Sequence, residues 1–236
     1  MKGYGQFCPV AMAAALLSER WTLLVVRELL MGSRHFNQLR RGLPLMSPTL
    51  LSKRLVSLQE QGVVAREESG EGSGWVYGLT EAGRALFPLV EAMGQWGKRW
   101  VATGMSRKDI DVRLLMWGMH REFNLTVLPA PRVVLKIDLI DGGRGHPHFW
   151  LILDRDVGRA ELCLQDPGQE LDAILATDVV TLTKVYMGDM AFEEARLSGR
   201  FRLQGASALV RSMPKWFARS LFAGTPRMVH AEAAAA

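Results

Sequence analysis

The pattern closest to metal-ligand spacing is His146-Pro147-His148, two histidines two residues apart at the start of a strand-like run. A zinc site needs three or four such ligands, and no cysteine or carboxylate partner stands close by, so no metal is expected. Two cysteines, Cys8 and Cys163, are too few for a disulfide framework, and a reducing, cytoplasmic compartment is expected. Cys8 precedes Pro9 at a helix start, where the helix dipole favours a thiolate. A small apolar residue in a packed contact fits the same position. Cys163 lies in a strand-like run and is expected to be buried and inert. Glu67-Glu68 and Glu193-Glu194 read as surface charges. A Gly-rich phosphate loop, a GxSxG elbow and an HExxH helix are all absent from the sequence. The chain therefore reads as a non-enzyme without a cofactor.

The remaining chemistry is cationic. Arg20–Arg54 carries Arg20, Arg27, Arg34, Arg40, Arg41, Lys53 and Arg54 against Glu28 alone, a net of +6 in a chain whose net charge is +5. Such a field attracts polyanions. The 236 residues suggest one large or two small domains, and 48% apolar with 22% charged residues excludes intrinsic disorder. No apolar run reaches the roughly 18 residues of a membrane helix, so no membrane insertion is expected. Lys2, the apolar Phe7–Leu17 run and Ala13-Ala14-Ala15 have the look of a secretion signal. That run passes directly into a second apolar pattern, without the polar start of a mature chain.

The basic segment sits on helices. Cys8-Pro9 opens one, and Trp21, Leu24, Val25, Glu28 and Leu29 follow the amphipathic period of a second. Phe36, Leu39, Arg40 and Leu43 make a short third. Ser47-Pro48-Thr49-Leu50 is a strong start for a fourth, with Ser47 as N-cap and Pro48 where a missing N–H costs nothing. Leu51, Leu55 and Leu58 are its buried stripe, expected in the core with Trp21 and Leu24. After Gly62 the period changes: Val63–Arg66 and Trp75–Leu79 are β-type runs around a Gly/Ser/Glu tip, and Thr80-Glu81-Ala82-Gly83 caps a long helix through Trp100. This order is that of a winged helix-turn-helix. Thr49, Ser52, Lys53, Val56 and Ser57 face outward from the fourth helix, with Arg54 at the boundary. Hydroxyls and cations there can read base edges in a major groove. Arg34, His35, Arg40, Ser47, Pro48 and the wing-tip Ser73 complete the candidate DNA contacts.

Cys8-Pro9-Val10, Arg20-Trp21-Thr22-Leu23-Leu24, Arg27-Glu28-Leu29, Phe36-Asn37-Gln38-Leu39-Arg40-Arg41, Leu50-Leu51-Ser52-Lys53-Arg54-Leu55, Tyr77-Gly78-Leu79-Thr80-Glu81-Ala82-Gly83 and Trp96 closely resemble the HxlR-type bacterial transcriptional regulators over about residues 6–103. The resemblance implies a homodimer on pseudo-palindromic double-stranded DNA, joined by the first helix and the Leu86–Trp100 helix. It permits an oxidant-sensing role for Cys8. The chain departs at Pro44-Leu45-Met46-Ser47, where the family usually has a turn glycine. Its acidic tip, with Glu67, Glu68 and Glu71, opposes phosphate contact by the wing.

Beyond Gly104 the pattern is different. A helix with Ile110, Leu114, Leu115, Met116, Trp117 and Met119 is followed by strand-like runs at 132–140, 148–153, 159–164 and 171–177. Then come a helix from about Asp178, another at 192–197, a strand at 199–205 and a helix at 207–222. The Ala231–Ala236 tail reads as frayed. The expected organisation is a winged helix domain at 1–103 and an α+β domain at 104–236, with an antiparallel-rich sheet packed against helices. Leu171–Tyr186, Gly188-Asp189 before Phe192–Leu197, and Gly199–Gly205 before the final helix resemble the sterol-carrier-protein-2-like (SCP2-like) domain. That resemblance implies an apolar tunnel for a small molecule or lipid. Trp117, Phe149, Trp150, Met187, Met190, Phe192, Trp216 and Phe217 suit its lining, with Tyr186 beside them, and they suit a filled core equally. Together the two halves read as a dimeric, ligand-responsive transcription regulator. The alternatives are a redox regulator acting through Cys8 with a purely structural second domain, and a lipid-binding carrier.

Overall fold

The computed structural model describes residues 4–70, 74–101, 107–141 and 148–228. The chain divides into two units, Met1–Gly94 and Gln95–Ala236.

The first unit runs α1 (Pro9–Leu17), α2 (Thr22–Leu30), α3 (Phe36–Gly42), α4 (Pro48–Glu60), β1 (Val64–Glu68), β2 (Trp75–Leu79), α5 (Glu81–Arg84) and α6 (Phe87–Trp100). The unit boundary falls within α6. Val25, Val26, Leu39, Leu51, Leu55 and Leu58 make its core. β1 and β2 pair antiparallel from Val64–Leu79 to Glu68–Trp75, giving the winged helix-turn-helix order.

Three local expectations change. Leu24 is 40% exposed rather than core. The buried arc of α2 is Thr22, Val25, Val26, Glu28 and Leu29, and Val26 extends it on the side away from Leu24. Trp21 is half-buried against the core, in the left-handed region at φ 79°, with the Arg20 guanidinium 5.4 Å from its ring centre. The helix expected from Thr80 through Trp100 is broken in two. Pro88 lies one residue into α6, where a proline has no N–H for the preceding turn and its ring clashes with that turn's carbonyl. The Thr80 hydroxyl accepts from the Gly83 amide at 3.1 Å, capping α5 by itself.

The second unit contains α7 (Val112–Met119), β3 (Arg132–Leu139), β4 (His148–Asp154), β5 (Arg159–Cys163), β6 (Ala173–Thr177), α8 (Val179–Met187), α9 (Phe192–Leu197), β7 (Arg202–Gly205) and α10 (Ser207–Trp216). Asp111 caps α7 by accepting from the Arg113 and Leu114 amides at 2.9 and 3.1 Å. The sheet order is β5-β4-β3-β6-β7. Only β3–β6 is parallel; the other neighbours are antiparallel. Val133, Leu135 and Ile137 of β3 and Phe149, Leu151 and Leu153 of β4 join Met116, Met119, Leu182, Met213 and Trp216 from the helices in one core. The chain is thus mixed α+β.

The last helix stops at Trp216, short of the expected Phe222. Phe217 turns to extended backbone at ψ 142°. That places Phe217 and Ala218 in the core and lets the Ser220 amide donate to the Tyr186 carbonyl at 2.9 Å. Cys163 is partly exposed, because β5 is an edge strand; burial and the neighbouring Glu161 raise its thiol pKa. Among the described residues no single helix is long and apolar enough to cross a membrane.

Candidate nucleic-acid interface

The start of α3 is fixed by one side chain. Gln38 Oε1 accepts from the Arg34 and His35 amides at 2.8 and 3.0 Å, satisfying donors that a helix start leaves without partners. The turn to α4 is held by the Met46 amide on the Leu43 carbonyl at 3.0 Å, with both side chains buried. Leu45 between them is left in water, in the segment where the HxlR-type pattern has glycine. Ser47 Oγ accepts from the Leu50 amide at 3.2 Å, capping α4.

With Leu51, Leu55 and Leu58 turned inward, Thr49, Ser52, Lys53 and Val56 are exposed along one side of α4 and Ser57 is half-buried. Lys53 makes no ion pair or side-chain hydrogen bond among the described residues. Beside this stripe a cleft of about 590 Å³ is lined by Asn37, Arg40, Arg41, Leu45, Ser47 and Pro48. Two guanidiniums, an amide and the first turn of a 13-residue helix form a positive concavity with the donors a phosphate needs.

The expected contacts therefore divide. Arg40, Ser47, Pro48, Thr49, Ser52 and Lys53 are brought together. Arg54 is not among them: its guanidinium pairs with Glu19, and its Nε donates to the Arg20 carbonyl at 3.3 Å. This arginine ties α4 to the α1–α2 junction. Arg34 and His35 sit at the base of the wing, where the Arg34 carbonyl accepts from the Tyr77 amide at 2.7 Å and His35 bridges to Val76. The Arg34 side chain lines a second cavity of about 560 Å³ with Leu29, Val76, Arg84 and Phe87. Ser73 lies outside the described residues. On the wing strands the Arg66 guanidinium stacks 3.9 Å from the Trp75 ring centre. Asn37 and Arg41 line the same cleft as Arg40, and Val56 is exposed on the same side of α4 as Lys53. Of these, Asn37 was not singled out from the sequence; its signal was the spacing of Asn37, Arg40 and Arg41, which puts them on one side of α3.

Residues 16–105 match the HxlR-like helix-turn-helix family. The HTH-type transcriptional regulator YvaP of Bacillus subtilis is 37% identical over 98 residues, which are 41% of this chain and 91% of YvaP. The chain belongs to the HxlR-like family. An HTH-type regulator of Mycobacterium tuberculosis is 44% identical over 93 residues, 39% of this chain and 58% of the relative. Among solved structures, the reduced form of the transcriptional regulator YodB from B. subtilis aligns at 30% identity over 39% of this chain and 93% of that chain, with a TM-score of 0.36. The HxlR-like match covers α2 to α6 with the turn and the wing, and begins at the end of α1.

Cys8 stands exposed ahead of α1, with no side-chain cap bond. His148 Nδ1 lies 2.7 Å from Asp138 Oδ1; His146 and Pro147 are outside the described residues. In the second unit, Phe149 and Trp216 are fully buried, Phe217 is nearly so, and Phe192 packs edge-on against Phe201 and Phe217 at 5.3 and 5.2 Å. Phe149, Trp216 and Phe217 are core residues, and half-buried Phe192 packs against that core. Trp117 is buried with its ring 4.6 Å from His120. Met187 and Met190 are half-buried. Trp150 is half-buried on the other face of the sheet, and its indole N–H has no hydrogen-bond partner among the described residues.

A half-buried carboxyl that sequence reasoning passed over is that of Glu122. Burial raises its carboxyl pKa, opposed by hydrogen bonds from the Tyr186 hydroxyl and the Leu221 amide and by nearby Arg121. With a folded pKa above the unfolded one, the native state holds the extra proton, and stability falls as pH rises through that window. Glu122→Gln keeps the shape without the charge. The variant should gain on the parent in denaturant midpoint as pH rises from 4 to 8, and a gap that stays constant with pH would contradict this.

Proposed function

We propose that the chain is a dimeric, sequence-specific DNA-binding transcription regulator, and that its second domain takes an apolar effector that tunes operator binding. The observation that carries the reading is the outward stripe of α4: Thr49, Ser52 and Lys53 stand exposed over three buried leucines, beside the Arg40–Arg41 cleft. Such a helix fits a major groove with its N-terminal half on base edges, and the naming of the relatives as transcriptional regulators supports it. Phe7, Val10 and Met12 at and before α1, and Phe87, Leu89 and Met93 on α6, are large apolar side chains left in water. They support a second copy as their cover, with two α4 helices on half-sites about one helical turn apart.

The effector part rests on the element order that resembles the SCP2-like domain. Half-buried Met187, Met190 and Phe192 are the side chains that can part with least loss of packing, since methionine adapts to varied shapes. An effector acts only through different affinity for two states; a coupling of ~1–3 kcal/mol changes operator occupancy several-fold or more. The exposed Cys8 supports a second reading, in which oxidation at α1 replaces the effector. An oxidant response lost in Cys8→Ser, with no response to apolar compounds recovered from the purified protein, would favour it.

Salt dependence tests the DNA-binding core. Log affinity should fall linearly with log salt, and each phosphate contact removed should flatten the slope by about 0.9. Arg40→Gln with Arg41→Gln is expected to flatten it by roughly two per subunit while leaving the preferred sequence unchanged. An unchanged slope would remove the α3–α4 cleft from the interface.

A further inference from the structure

Val56 stands on the outward side of α4 with 49% of its surface exposed. Its neighbours along that side, Thr49, Ser52 and Lys53, are also exposed, and each offers a group that hydrogen-bonds. Val56 offers only methyl groups. The core beneath is already closed by Leu51, Leu55 and Leu58, each no more than 1% exposed. In a major groove the apolar target on a base edge is the C5 methyl of thymine, while guanine O6 and N7 accept from a lysine.

We infer that Val56 reads a thymine methyl, and that Lys53 reads a guanine close to it on the same half-site. The inference rests on the regulator reading and adds the chemistry of the bases read. Three residues advance about 4.5 Å along a helix, and base pairs are about 3.4 Å apart. The thymine therefore falls one or two base steps from the guanine. Valine suits this task because its branched Cβ leaves one strongly preferred rotamer in a helix. Its methyls are held out in a fixed direction and little side-chain freedom is lost on contact. The Lys53 ammonium has no ion pair among the described residues, so no intramolecular bond must break for it to reach guanine.

The experiment selects an operator from a random duplex pool with the full chain, then replaces each thymine of the selected site by deoxyuridine, one at a time. That change removes one methyl and nothing else. At one thymine per half-site, binding should weaken roughly fourfold, the scale of one buried methyl group. Val56→Ala should bind the thymine and deoxyuridine duplexes equally at that position, and Val56→Ile should restore the preference. An enriched operator indifferent to deoxyuridine throughout, or a preference that persists in Val56→Ala, overturns this inference alone. A pool that enriches nothing overturns the regulator reading, and this inference with it.

Discussion

Gly42→Ala should cost the first unit roughly 3 kcal/mol or more, comparable to breaking a buried ion pair, and lower its unfolding midpoint by on the order of 10–20 °C. Glu28 is a carboxylate 1% exposed inside the domain. Arg27 Nη2 donates to its Oε1 at 2.9 Å and the Ser33 hydroxyl to its Oε2 at 3.1 Å. A Cβ on Gly42 would overlap this carboxyl, so either the ion pair opens or the end of α3 moves. Both outcomes damage the packing that presents α4. Glu28→Gln, which keeps the volume and loses the charge, should cost less. Hydrogen exchange should show amides of α3 opening in Gly42→Ala before those of α7. A variant as stable as the parent would mean that the end of α3 does not pack tightly on the Glu28 carboxyl.

Lys98→Met should destabilise the second unit by about 3 kcal/mol, because it leaves buried acceptors without their donor. The Lys98 side chain is 3% exposed. Its ammonium donates to the Met187 carbonyl and, at 3.0 and 3.3 Å, to those of Phe222 and Ala223. Asp189 Oδ1 lies 3.5 Å away, and Asp189 is held in turn by Arg227 Nε at 2.9 Å. Burial lowers the Lys98 pKa below 10.5, with Asp189 pulling the other way. A folded pKa below the unfolded one means that the unfolded chain binds the extra proton, so stability rises with pH between the two values. The parent should therefore gain on Lys98→Met as pH rises toward 10.5. A gap independent of pH, or a variant of equal stability, would contradict this role.

Local signals were the legible ones. Ser47-Pro48 and three leucines at helical spacing placed α4 and its outward face, and the change of period after Gly62 placed the wing. In the second half, the strands and the Phe192–Leu197 helix follow from alternation and turn residues. Relations between distant positions were not legible. Arg54 looked like a boundary residue of the reading face because its partner Glu19 lies far off in sequence, in the turn between α1 and α2. The parallel register of β3 on β6 depends on a crossover that no local period encodes. The α5–α6 break was readable from Pro88, but the apolar period runs straight across it. Aromatic residues fill a core or line a tunnel with the same composition, so Phe149, Trp216 and Phe217 could be placed only by their burial and by each other.

Whether the outward side of α4 reads DNA sequence is decided by selecting random duplexes with the parent chain and with a triple variant, Thr49→Ala, Ser52→Ala and Lys53→Ala. The parent should enrich two related half-sites about 10 base pairs apart. The folded triple variant should bind duplexes through its remaining cations and lose the parent's motif, keeping no more than the thymine preference of Val56. Recovery of the parent's motif by the triple variant would show that another surface does the reading.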